Sequence, residues 1–347
     1  MRNPALNEKR NQQILADVVR AYIETGEPVS SRVIARRHPE ELSSATIRSV
    51  MAQLEEDGYL YQPHTSAGRV PTAAAYRFFA QQIASRATLD PEDREWIRGE
   101  LASAATPEEV TERAGHVLAA VSRGLGIIVS PPLARTVLEH LRFLLLPDDR
   151  VVVVLVSSGG NARDKVLRTE RRFTQAELDL TAEYLNHHYV GWTLEAIRVD
   201  LLARLATERE RYDRLASNAL MLCDPSLLAD APGRQIYVEG AAQIATAPEF
   251  ADQAHLRDLL ATIEEKHKLL ALLTGCIEAP EPVHVQIGVK EMSAAGDHLA
   301  LITAPYSLHD QLQGSLGVLG PMRMQYERAI TAVAYVARLF SETMSRS

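Results

Sequence analysis

A chain of 347 residues, 46% of them hydrophobic, carries enough apolar material for two or three separately packed cores. Two cysteines, Cys223 and Cys276, exclude a disulfide framework and a four-thiolate zinc site, and the longest apolar runs, Leu144–Leu146 and Val151–Val156, are too short to span a membrane as helices. The formal net charge of −8 is unevenly spread: residues 1–80 hold ten Lys/Arg and nine Asp/Glu, so the acid excess lies beyond them and only the N-terminal part offers phosphate a surface that does not repel it.

The opening MRNPALNEKRNQQ lacks the charged-then-apolar order of a secretory leader, so a cytoplasmic protein with no membrane partner is expected. From Asn7 to Thr25, Ile14, Leu15, Val18, Val19, Tyr22 and Ile23 form one stripe of an amphipathic helix, stopped by Gly26 and Pro28. Ser30 or Ser31 caps a short second helix that ends at His38–Pro39. Ser43 and Ser44 offer caps to a third, running to about Asp57 with Ile47, Val50, Met51 and Leu54 inward, and Gly58 ends it. Tyr59–Gln62 and Arg69–Pro71 then read as two short strands around a turn-rich tip, Pro63–Gly68. Three helices and a hairpin make a winged helix-turn-helix, from which a helix over Ala73–Ser85 and a charged stretch, Asp90–Arg98, lead out.

Beyond Pro107 the pattern predicts a helix to Gly124, strands at Leu138–Leu146, Arg150–Val156 and Lys165–Thr169 with a Ser157–Gly160 turn, and helical sequence over Gln175–Leu222. A strand at Gln235–Val238 and a helix at His255–Leu273 follow, then strands at Val283–Val289, His298–Tyr306 and Ser315–Val318 and a last helix, Tyr326–Met344. The class is α+β: a winged helix over 1–85 and one sheet domain built from 86–204 and 276–347, interrupted by a mainly helical insertion at 205–275. Leu256, Leu259, Leu260, Ile263, Leu269 and Leu270 give that insertion apolar faces, for a second copy or for packing within the chain.

A helix enters the major groove when its outer face is small and polar with a few donors, and Ala45, Thr46, Arg48, Ser49, Ala52 and Gln53 have that character. Arg48 can donate twice to guanine and Gln53 can pair with adenine, while Ser44, Thr46 and Ser49 reach bases or phosphates. On the hairpin, His64, Thr65, Ser66 and Arg69 gather hydroxyls and a guanidinium suited to phosphate or minor-groove contact.

The run LSSATIRSVMAQLEEDGYL, followed by QPHTSAGRVPT and YRFF, with GEPVSSR before it and IGVKEM and SLGVLGPMRMQY far downstream, closely resembles the HrcA family of heat-inducible transcription repressors. The resemblance implies a GAF-like identity for the sheet domain and a dimerisation role for the insertion. It also implies a homodimer on a CIRCE-type inverted-repeat operator of double-stranded DNA, control of chaperone operons such as grpE-dnaK-dnaJ and groELS, and modulation by the GroEL chaperonin. The family pattern usually has Asn at Ser49, Gly at Ala75, Asn at Met292 and Thr at Met322, and the first of these lies on the presumed reading face.

No catalytic residue, metal site or cofactor is expected. His187 and His188 are adjacent, His284, His298 and His309 are scattered, and Gly314–Gly320 has neither dinucleotide nor P-loop spacing. A ligand-sensing winged-helix regulator, holding a small molecule in the GAF-like domain, is the alternative.

Overall fold

A computed structural model of the chain describes residues 9–37, 42–84, 87–131, 136–148, 150–157, 162–169, 171–207, 213–222, 236–246, 250, 253–277, 282–289, 294–308 and 312–344. The expected break at His38–Pro39, the Ser158–Gly160 part of the expected turn, Met292, His309 and Cys223 lie outside them.

Helices α1 (Lys9–Thr25), α2 (Ser31–Arg37) and α3 (Ser44–Glu56), strands β1 (Leu60–Tyr61) and β2 (Val70–Pro71) and helix α4 (Ala73–Ala84) form the winged helix. The inward residues read from the α1 and α3 stripes, from Ile14 to Val19 and from Ile47 to Leu54, are buried together with Tyr76 and Phe79 of α4. Helix α5 (Pro91–Ala102), capped by the Asp90 side chain, and α6 (Pro107–Ser122), capped by Thr106, continue the chain.

Strand β3 (Leu125–Val129) comes next, within a stretch where the sequence predicts no strand. Its LGIIV run is buried on both faces, so it carries no alternation to betray it. The chain then builds a separate three-stranded antiparallel sheet, β4 (Leu138–Leu146), β5 (Arg150–Ser157) and β6 (Ala162–Arg168), with helices α7 (Gln175–Tyr189), α8 (Leu194–Thr207) and α9 (Asp213–Leu222). Leu141, Phe143, Val153, Leu178, Leu185 and Leu201 belong to its own core.

After β7 (Ile236–Glu239) come α10 (Ala241–Ala245), α11 (Gln253–Glu264) and α12 (Lys266–Ile277), then β8 (His284–Ile287), β9 (Leu299–Leu308), β10 (Leu312–Pro321) and α13 (Tyr326–Met344). The larger sheet is antiparallel in the order β7-β3-β10-β9-β8. One face, with Ile128, Ile302, Tyr306, Leu316 and Val318, shares a continuous core with α6, α13 and the winged helix. The other, with Leu125, Ile127, Val129, Leu301 and Leu319, is covered by apolar residues from α10 to α12.

This relocates the expected insertion. The main sheet does draw strands from both sides of an interruption, but the interruption holds residues 138–222, and the 253–277 helices placed in it by sequence are the second cover of the sheet. Hydrophobic periodicity reports that a strand is half-buried and says nothing of which strand it pairs with, so β4 to β6 read as part of the main sheet. For the same reason Leu259, Leu269 and Leu270 are internal core with Leu256 and Ile263 packed against it, and Leu260 alone of the expected dimer leucines is exposed. No helix among the described residues is long and apolar enough to cross a membrane.

Candidate nucleic-acid interface

Helix α3 starts at a true cap: the Ser43 hydroxyl accepts from the Thr46 backbone N–H at 3.1 Å. The Thr46 hydroxyl lies 2.9 Å from the same oxygen, and the Ser44 hydroxyl lies 3.1 Å from that of Ser31, tying α3 to the start of α2. Ser44 and Thr46 are therefore partly covered and locally engaged, whereas Ala45, Arg48, Ser49 and Gln53 form the exposed stripe. Those four share one helix face with the half-buried Ala52, opposite Ile47, Val50, Met51 and Leu54. The stripe has the low relief and the donors that a major-groove helix requires.

Past α3, Gly58 takes φ +79, the left-handed turn that lets the chain leave the helix, and Thr72 closes the hairpin base through Oγ1 donating to Gly58 O at 2.7 Å and Tyr59 O at 3.0 Å. At the tip, His64, Thr65 and Ser66 are all exposed. A residue that sequence reasoning passed over shapes it: the Gln62 amide donates to Thr65 O at 3.0 Å and Ala67 O at 2.8 Å, holding the turn from inside. The only signal was an amide side chain beside Pro63 in a turn-rich run. Exposed Arg32 and Arg36 on α2 were also missed. They lie one turn apart on the helix that, in helix-turn-helix docking, crosses the DNA backbone.

The wing is fastened at its base. Val29 and Arg69 exchange backbone hydrogen bonds of 2.9 and 2.8 Å, which brings GEPVSSR against TSAGRVPT and adds a third strand-like segment to the hairpin. Arg69 does not sit with the tip hydroxyls as the sequence suggests. Its Nε is 2.7 Å from Glu55 Oε2 of α3 and the side chain is 18% exposed. The N–H is not aimed along that line, so the contact is a charge pair rather than an aligned hydrogen bond.

The downstream motif meets the winged helix too. Tyr326, fully buried at the start of α13, packs on Tyr76 and Phe79 of YRFF at ring distances of 6.0 and 6.3 Å. Its hydroxyl donates to Met322 O at 2.7 Å, and Arg20 of α1 reaches Glu327 at 3.0 Å while lying over the Phe79 ring. Behind them Arg328 donates to Asp93 of α5 at 2.6 and 2.7 Å and holds that carboxyl below the usual carboxylate range. The winged helix is thus packed onto the sheet domain. Among the described residues no three His, Cys, Asp or Glu gather as a metal site.

A family model described as the HrcA protein C terminal domain matches residues 108–330. The heat-inducible transcription repressor HrcA of Geobacter sulfurreducens is 38% identical over 337 residues, 97% of this chain and 98% of that one. That of Thermodesulfovibrio yellowstonii is 35% identical over 357 residues, 99% of this chain and 100% of that one. A crystal structure of a hypothetical protein shares the fold at a TM-score of 0.61 with 22% identity, covering 98% and 99% of the two chains. Fold and likeness together define a winged-helix transcription repressor. The chain belongs to the HrcA family of heat-inducible transcription repressors.

Proposed function

We propose that the protein represses chaperone operons by binding, as a dimer, a CIRCE-type inverted repeat through α3 and the wing. The observation that carries this reading is the exposed stripe of Ala45, Arg48, Ser49 and Gln53 beside an exposed tip of His64, Thr65 and Ser66. Arg48 and Gln53 read base edges, Ser49 tunes one position, and the tip, with Ser44 and Thr46 at the helix start, follows the backbone. One winged helix makes few contacts, so two on half-sites one or two helical turns apart supply the affinity.

The dimer contact belongs to the 138–222 module. Eight of the thirteen large apolar side chains exposed among the described residues lie in it, including Leu144, Val166, Leu180, Trp192 and Val199. Leu144, Val152 and Val166 align in one row across its sheet, on the face turned from its core. Chaperonin modulation is carried over from the family: heat lowers the competent fraction and GroEL restores it. Titrating GroEL at fixed temperature while following operator occupancy tests that step, and a flat response removes it.

The central test is binding to a labelled inverted repeat and to a scrambled duplex. The wild type is expected to prefer the operator by ~10³ or more, and Arg48→Ala to cost ~1 to 3 kcal/mol on the operator with little change on the scrambled duplex. Equal weak binding to both by folded protein, with or without chaperonin, would end the operator reading. A second reading, ligand sensing, is favoured by a cleft of about 260 Å³ between the main sheet and β6, lined by Tyr237, Tyr306, Phe340 and Asp164, and by one of about 350 Å³ lined by Glu24, Arg123, Gln243 and Arg323. The first falls below, and the second stands at the lower end of, the ~300 to 1,000 Å³ of most small-molecule sites. A metabolite that raises the melting temperature would revive it.

A further inference from the structure

We propose that Arg69 is a positioning residue: paired with Glu55, it sets the angle between the wing and α3 and does not itself touch DNA. The inference rests on the DNA-binding reading of α3. A wing cation facing DNA should be free to swing, and Arg69 is held at both its ends. Its backbone is locked to Val29 by reciprocal hydrogen bonds of 2.9 and 2.8 Å, and the preceding Gly68 lies so close that an added Cβ would stand 2.5 Å from Pro28 O and from the Val29 backbone. Its guanidinium stands 2.7 Å from Glu55, with the two side chains 18% and 32% exposed.

The tip does not depend on this contact, because Gln62 braces it internally. What the tip lacks is a rigid link to the reading face, since β1 and β2 are only two residues each and pair over two registers. Glu55 supplies that link from α3 itself, two residues past the exposed Gln53 and off the exposed stripe. A strut from α3 to the wing base makes the helix and the tip one body. Turning Arg69 out to a phosphate would instead leave the Glu55 carboxylate partly buried, unpaired and facing like charge.

The test measures operator and scrambled-duplex affinity of the full chain across a salt series for Glu55→Gln, Arg69→Gln, the double substitution and the reversed pair Glu55→Arg/Arg69→Glu, with Arg48→Ala alongside. Each single change is expected to weaken operator binding about tenfold, the double to cost no more than either single, and the reversed pair to recover most of the loss. The slope of log affinity against log salt should stay at the wild-type value, because no phosphate contact is removed. A slope reduced by about one for Arg69→Gln, together with tighter binding by Glu55→Gln, would overturn the proposal in favour of a phosphate contact masked by Glu55. Failure of the reversed pair to recover, with binding tracking a lowered melting midpoint, would overturn it in favour of a fold-only role. No effect of Arg48→Ala would instead fault the reading of α3.

Discussion

At the residue scale the candidate interface rests on small groups held in specific contacts. Ser43 and Ser44 look alike as caps, yet only Ser43 accepts from the helix, so Ser43→Ala is expected to cost ~0.5 to 2 kcal/mol in urea denaturation and Ser44→Ala distinctly less. Equal losses would mean that the Ser31–Ser44 contact matters as much as the cap. Gly68 is constrained by approach rather than by φ. An added Cβ would meet Pro28 O and the Val29 backbone at 2.5 Å, so Gly68→Ala must part the Val29–Arg69 bridge or strain it. We expect a loss of ~1 to 3 kcal/mol and weaker operator binding, read by denaturation and duplex titration on one preparation; unchanged stability would mean that the bridge yields freely. The exposed stripe of α3 was legible from residue type and helical period. The roles of Gln62 and Arg69 were not, because a side chain's partner three or fourteen positions away leaves no trace in composition.

At the element scale the ties between helices set the pH response. Helix α5, which takes up the charged stretch that leads out of the winged helix, is fastened to α13 by Arg328 and Asp93, whose carboxyl is held low chiefly by the Arg328 hydrogen bonds. A carboxyl with a depressed folded pKa contributes stability that is complete above its unfolded value and is lost as pH falls through the folded one. Asp93→Asn should therefore lower stability near neutrality by no more than about 1 kcal/mol for a partly exposed pair, read as a lower melting midpoint. The gap should close as the medium is acidified below pH ~4, and a constant gap would place the loss in packing. The module's sheet makes a second prediction. Gln175 and Asn186 of α7 bond the outer backbone of β4, at Leu145 N, Phe143 O and both groups of Leu141, so the β4 edge is closed to strand addition, and the proposed association is left with the exposed face or the β6 edge. Leu144→Glu and Val166→Glu are expected to give monomers in sedimentation without loss of folded signal, and dimers from both would move the contact elsewhere. The helices and strands here were visible in the sequence, but their membership was not: a continuous Val-rich run is compatible with either sheet, and only the register of β5 against β4 and β6 decides.

At the scale of the whole molecule the cores divide the chain differently from a simple DNA-binding head on a regulatory body. The winged helix shares one continuous core with α5, α6, α13 and a face of the main sheet, and the opposite face of that sheet adds the second core, while the 138–222 module packs around a third of its own. Tyr326, at the start of α13 and packed on Tyr76 and Phe79 of α4, should therefore couple head and sheet domain: Tyr326→Ala is expected to cost ~3 to 5 kcal/mol and to lower the unfolding of both together. Phe143, inside the module, should lower a different transition. Calorimetry of the wild type, Tyr326→Ala and Phe143→Ala resolves this, with two transitions expected, each moved by only one substitution. If the module carries the dimer contact, its transition alone should rise with protein concentration, because association stabilises only what it binds. A heat signal could then release the operator by melting the module and separating two intact heads, each left with half of the contacts. A single transition shifted equally by both substitutions would mean that the cores melt as one, and that warming removes the reading helices together with the dimer.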